Sequence, residues 1–261
     1  MEAITRFETL TRLGFAARGL TYLLVGWLAI SAGRAASAGE ALSTLADGPG
    51  RLVLLLVAVG LFAYGVWKLA EAAFDLEGAG DGAKGAAKRA GHGLSGAAHI
   101  FLGLTAIELA MGSGAGSDGE DVRAATSWLL EMPAGGWLVR LIAVALLAAG
   151  AYQVVQAIRL RFLQQLDGRA AAQPWVQWVG RLGYLARGVV FVLVGLMFWR
   201  AGAAESAGAA GSTGEALASL SGTSLTVIAI GLAMFGIFSF VQARYRRITD
   251  PHVVDRLKSL A

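Results

Sequence analysis

The stretch GFAARGLTYLLVG at residues 14–26 decides the fold, because it returns as GHGLSGAAHIFLG at 91–103 and as GYLARGVVFVLVG at 183–195. Glycines frame each copy: Gly14 and Gly26, Gly91 and Gly103, Gly183 and Gly195. A third glycine sits inside each, at Gly19, Gly96 and Gly188. Apolar runs lie near 13–32, 51–71, 93–111, 136–158, 182–201 and 224–243. Each is close to the roughly 20 residues a helix needs to cross a hydrocarbon core. The sequence therefore predicts an all-α, polytopic membrane protein. Its six helices form three parallel tandem hairpins with pseudo-threefold symmetry in one domain. The units span about 12–72, 89–158 and 181–244, with cytoplasmic linkers at 73–88 and 159–180 and a cytoplasmic tail at 245–261.

Composition agrees with a chain solvated by lipid. Hydrophobic residues make up 56% and charged residues 15%, and the mean hydropathy is +0.60. The absence of cysteine excludes disulfides, thiolate metal sites and cysteine nucleophiles. A signal peptide would fit Arg6, Arg12 and the first apolar run, but the same segment recurs twice inside the chain, where it cannot be cleaved. Seventeen of the 22 Lys and Arg residues fall on the side of the termini, against five on the other. The positive-inside rule then puts both termini in the cytoplasm, across an inner (plasma) membrane. The basic residues flank apolar runs instead of forming one patch, so the lipid bilayer is the expected partner and nucleic acid is not.

Along the first helix of each unit one face carries Phe15, His92 or Tyr184, then the inner glycine, then Tyr22, His99 or Phe191, then the closing glycine. The second helices match as Gly60/Ala145/Gly231, Gly65/Gly150/Gly236, Trp67/Tyr152/Phe238 and Glu71/Gln156/Gln242. Glycine beside aromatic makes grooves and knobs for close packing where lipid gives no hydrophobic drive.

The loop inside each unit repeats Ser-x-Gly-Glu, at Ser37–Glu40, Ser117–Glu120 and Ser212–Glu215. Ser-x-x-Glu is a capping box, which predicts a short surface helix in each unit. A functional alternative gathers Glu40, Glu120 and Glu215 into an acidic ring. The connector at 74–92 reads as a flexible linker, and Pro174, Trp175 and Trp178 as an interfacial anchor. The tail, with Pro251, Arg256 and Lys258, reads as solvated or bound to headgroups.

Ionisable groups inside the membrane are costly and mark candidate sites. Arg18 and Arg187 share a repeat position, with Ser95 in the middle unit. An Arg18–Glu71 pair would neutralise both; an anion or headgroup site is the alternative. His92 and His99 replace aromatics, His99 near mid-membrane. His99 reads as a hydrogen-bonded aromatic substitute or a proton-transfer group. His252 is the only other histidine, so no haem or metal set is expected. GxSxG, HExxH and Walker motifs are absent, and no catalytic residue, cofactor or enzyme activity is predicted.

These segments resemble a bacterial family, the domain-of-unknown-function family numbered 1206. The resemblance rests on Gly14, Arg18, Gly19, Tyr22 and Gly26, on Gly183, Arg187, Gly188 and Gly195, and on the Gly60/Gly65 and Gly231/Gly236 pairs. It covers nearly the whole chain and implies three tandem two-helix units in a membrane, without an activity. The sequence favours a non-enzymatic scaffold, a membrane-organising or stress-related protein with a dry interior. The alternatives are a small-cation or proton channel or carrier on the threefold axis, and a lipid- or hydrophobe-binding protein with a lateral groove.

Overall fold

A computed structural model describes residues 2–75, 80, 82–112 and 118–246. Six long helices dominate: α1 (Glu2–Ser31), α3 (Gly50–Phe74), α4 (Ala83–Ala110), α6 (Gly135–Arg159), α8 (Pro174–Ala204) and α10 (Gly222–Tyr245). All six are long and apolar enough to cross a membrane. Shorter helices α2 (Ala38–Ser43), α5 (Asp118–Leu130) and α9 (Thr213–Ala218) fill the loop within each unit, and α7 (Gly168–Ala171) precedes α8. Among the described residues there is no β-strand, only an isolated bridge between Leu166 and Arg246.

Two expectations about the connectors need correction. Residues 83–88 continue α4 and are not linker, so Lys84, Lys88 and Arg89 ride on a helix. Within 159–180, a 3-10 turn (Arg161–Gln165) and α7 lead to α8, where Pro174 opens the helix. Proline fits there because the first turn has no partner for an N–H anyway. Asp81, Ser117 and the tail from Arg247 onward lie outside the described residues.

The bundle is held together between units more than within them. Glycines make the same junction three times. Gly65 of the first unit meets Gly96 of the second, Gly150 of the second meets Gly188 of the third, and Gly236 of the third meets Gly19 of the first. A β-carbon at Gly236 would lie 2.7 Å from the Gly19 carbonyl oxygen, and one at Gly96 would lie 2.8 Å from that of Gly65. Only hydrogen fits at that spacing, and close backbone approach replaces the missing hydrophobic drive. This is the pseudo-threefold relation, and it is cyclic.

Hairpin packing follows the same symmetry in only two units. Around the bundle the helices contact one another in the order α4, α3, α1, α10, α8, α6. The ring does not close, because among the described residues α4 and α6, the two long helices of the middle unit, scarcely touch.

The sequence explains the opening. In the outer units a small residue on the first helix sits in a glycine groove on the second: Ala17 on Gly60 and Ala186 on Gly231. The middle unit has Leu94 and Ala145 there, both larger, and both are exposed. Tyr64 and Phe235 are the knobs covering Gly14 and Gly183, whereas the middle unit offers only Ala149. Gly91, expected to pack like its counterparts, faces open space: a β-carbon there would meet nothing within 4 Å. Tyr152 is 48% exposed where Trp67 and Phe238 are buried at 4% and 0%.

Candidate functional site

Arg18 comes from the helix face the repeat defines, and each of its three guanidinium nitrogens donates a hydrogen bond. Nε donates to Ser239 Oγ at 3.2 Å, one Nη to the Tyr64 hydroxyl at 2.6 Å and the other to Gln242 Oε1 at 2.5 Å. Three aromatic rings, Phe15, Tyr64 and Phe235, lie 4.8–5.0 Å from its carbon. Cation–π contact of this kind strengthens when water is excluded. The expected Arg18–Glu71 pair does not form, because Gln242 and Ser239 of the third unit reach Arg18 instead.

Glu71 is instead held locally. Its Oε2 takes Lys68 one turn earlier and His92 Nδ1 at 2.8 Å, and Oε1 is buried without a hydrogen-bond partner among the described residues. His92 thus turns toward α3 of the first unit. Its counterparts do the opposite: Phe15 meets Tyr64 edge-on at 5.3 Å, and Tyr184 meets Phe235 at 5.4 Å, each stitching its own hairpin. His99 is buried, its Nδ1 2.7 Å from the Ser95 carbonyl and its ring 4.5 Å from that of Tyr64. Among the described residues no group of acidic and histidine side chains could hold a metal ion.

Arg187 differs from its repeat partner. Among the described residues only Nε is hydrogen-bonded, to the Tyr22 hydroxyl at 3.1 Å. The guanidinium lies over Phe191 and Phe235 at 4.7 and 4.9 Å. Symmetry would pair it with Gln156, which occupies the place of Gln242. Gln156 Oε1 is instead buried with no hydrogen-bond partner among the described residues. Arg187 retains partial exposure, whereas Arg18 is 4% exposed. Neither arginine is within salt-bridge reach of a carboxylate among the described residues. Two cations therefore share the interior with aromatic faces and hydroxyls as their partners.

On the far side of the bundle the glutamates serve the loops. Ser212 and Glu215 form the full capping box of α9, and Glu215 also pairs with Arg123 of the middle unit. Ser37 caps α2 through the Glu40 amide at 3.0 Å, but the Glu40 side chain goes to Arg34. That hydrogen bond raises the Arg34 pKa above its ordinary value, on an exposed side chain. Glu120 is exposed on α5. The acidic residues thus meet arginines and amides at the first and third positions.

One repeated element is easily missed in the sequence. Arg12, Arg89 and Arg181 each stand two residues before the opening glycine. Each reaches the last carbonyls of the preceding unit's second helix: Arg12 to Ala243 at 2.7 Å, Arg89 to Ala72 at 2.7 Å and Ala73 at 3.0 Å, and Arg181 to Ala157 at 3.3 Å. A cation there satisfies orphan carbonyls and the negative helix end. The signal is legible as arginine at one repeat position, but counting charges by side absorbs it. Arg89→Met is expected to cost about 1 kcal/mol of stability in detergent melts, through loss of this cap; an unchanged melt would make the contact ornamental.

The three units match the family described as Domain of Unknown Function (DUF1206), over residues 13–75, 90–159 and 182–246. The chain is also similar to "Uncharacterized protein YxxB" of Bacillus subtilis (strain 168), 28% identical over 251 residues, covering 91% of this chain and 90% of that protein. No solved structure matches the chain.

Proposed function

We propose that this chain, which belongs to the DUF1206 family, is a non-enzymatic multi-pass membrane protein that admits a hydrophobic or amphipathic ligand from the bilayer through the open side of its middle unit. The observation that carries this reading is the lack of packing between α4 and α6. A scaffold with a dry, closed interior has no use for an opened hairpin. A cation path fits poorly with Arg18, Tyr64, Phe15 and Phe235 packed together in the interior, since a cation would meet a buried guanidinium. Placement in an inner (plasma) membrane with both termini cytoplasmic rests on the Lys and Arg bias. Tryptophans support the span: Trp178 and Trp199 on α8 are exposed, and their separation along the helix is about 30 Å, the thickness of a hydrocarbon core.

The absence of native cysteine gives a direct test. Thr21, Ala98 and Val190 hold one repeat position, the first and third buried at 3% and 4% and Ala98 exposed. Single cysteines there should react with a lipid-soluble maleimide at rates differing by about tenfold or more, Ala98→Cys fastest, because buried sites must first open. Equal rates at all three would mean a closed middle hairpin and would sink the proposal.

A further inference from the structure

We infer that the opening takes a lipid-like anion, its phosphate or carboxylate head seated on Arg187 and its apolar tail lying between α4 and α6; this rests on the lateral-access reading above. Among the described residues the two amino groups of Arg187 have no hydrogen-bond acceptor; its Nε donates to the Tyr22 hydroxyl at 3.1 Å, and its plane lies over Phe191 and Phe235. The repeat shows what a satisfied arginine looks like here: Arg18 spends its donors on Tyr64, Ser239 and Gln242. Its equivalent acceptor for Arg187, Gln156 Oε1, is buried and unused. Arg187 thus donates to Tyr22 and not to the glutamine that its symmetry assigns.

Charge complementarity selects the head. Arg18 and Arg187 both lie within 5.0 Å of the Phe235 ring centroid, and no carboxylate pairs with either among the described residues. A guanidinium fork matches a phosphate or carboxylate with two parallel hydrogen bonds. In a low-dielectric interior an arriving anion would meet two positive charges with little screening. A neutral or cationic head would leave them uncompensated.

The tail is selected by the walls. Leu94 and Phe101 of α4 are 46% and 47% exposed, and Tyr152 of α6 is 48% exposed; with Ala145 they hold repeat positions that the outer units bury wholly or in part, and they leave the middle unit an unpartnered apolar face. A free inorganic anion has nothing to set against those side chains, whereas an acyl chain fills the gap by van der Waals packing, the contribution that remains where lipid gives no hydrophobic drive. The head would sit near the depth of Arg18, about 10 Å along the span from Thr11. That places it below the interface on the side of the termini.

The test uses the full chain in nanodiscs of equal phosphatidylcholine and phosphatidic acid, with retained lipid counted by native mass spectrometry. The intact chain is expected to retain phosphatidic acid over phosphatidylcholine by about tenfold, the usual scale for one charge-assisted pair. Arg187→Gln should bring the ratio to parity, and Arg187→Lys should keep part of the preference. A closing variant, Leu94→Ala with Ala145→Gly and Ala149→Tyr, should lose retention of both lipids. Inorganic phosphate at millimolar concentration should not displace the lipid. Equal retention of both lipids that is still lost on closing would overturn the anionic head and leave lateral access standing. Retention unaffected by closing would overturn the access reading itself. Displacement by inorganic phosphate would assign the site to a free anion and overturn the lipid.

Discussion

Arg18→Leu is expected to cost about 2–4 kcal/mol of stability, because it leaves the Tyr64 hydroxyl and Gln242 Oε1 buried without their donor, each at roughly 1–3 kcal/mol. The saving from no longer burying a charge offsets part of this. Ser239 suffers least, since its hydroxyl also donates to the Phe235 carbonyl at 2.9 Å. Arg18→Lys should be nearly as damaging. One ammonium cannot reach acceptors contributed by α3 and by two turns of α10 in the geometry of a planar fork. The measurement is resistance to thermal unfolding in mild detergent. If lysine restores wild-type stability, charge alone mattered and the three-way geometry is incidental. Arg187→Gln, at the same repeat position, should cost less than Arg18→Leu, because it removes one hydrogen bond, to Tyr22, and the ring contacts with Phe191 and Phe235, and leaves fewer buried acceptors without a donor.

The three opening glycines should respond in opposite directions to the same change. A β-carbon on Gly14 would lie 2.7 Å from Tyr64 Cβ and 3.0 Å from the Gly60 carbonyl oxygen; on Gly183 it would lie 2.7 Å from the Phe235 backbone. Neither neighbour can move without displacing a helix. Leucine at either position is expected to destabilise by roughly 1–3 kcal/mol or more, the scale of an overpacked contact. Gly91 meets nothing within 4 Å. Leucine there should be neutral or stabilising by up to about 1 kcal/mol, since glycine is a poor helix former. Comparable losses at all three positions would show that the middle hairpin packs like the others.

The repeat makes most of the architecture legible. Helix number, order along the chain, the N-cap at Ser37 and the capping box at Ser212 are local properties, set by apolar length and by side chains a few residues apart. The inner glycines read as packing positions, and they do pack. Their partners are not legible, because a glycine says only that something comes close. The site is less visible still. Arg18 and Arg187 look identical in sequence, and pairing with Glu71 is the simplest neutral arrangement. It fails because Lys68, on the same helix, and His92 already occupy that carboxylate.

By itself the sequence determined three membrane-length hairpins with a charged side and a repeated glycine face, because periodicity and hydropathy act locally. Tertiary structure alone decided that the units join through Gly65–Gly96, Gly150–Gly188 and Gly236–Gly19, and that the ring stays open between α4 and α6. Leu94, Ala145 and Ala149 are each ordinary as apolar residues in an apolar helix. Their effect appears only when knob and groove are set face to face, since packing depends on the fit of two surfaces and a sequence presents them one at a time.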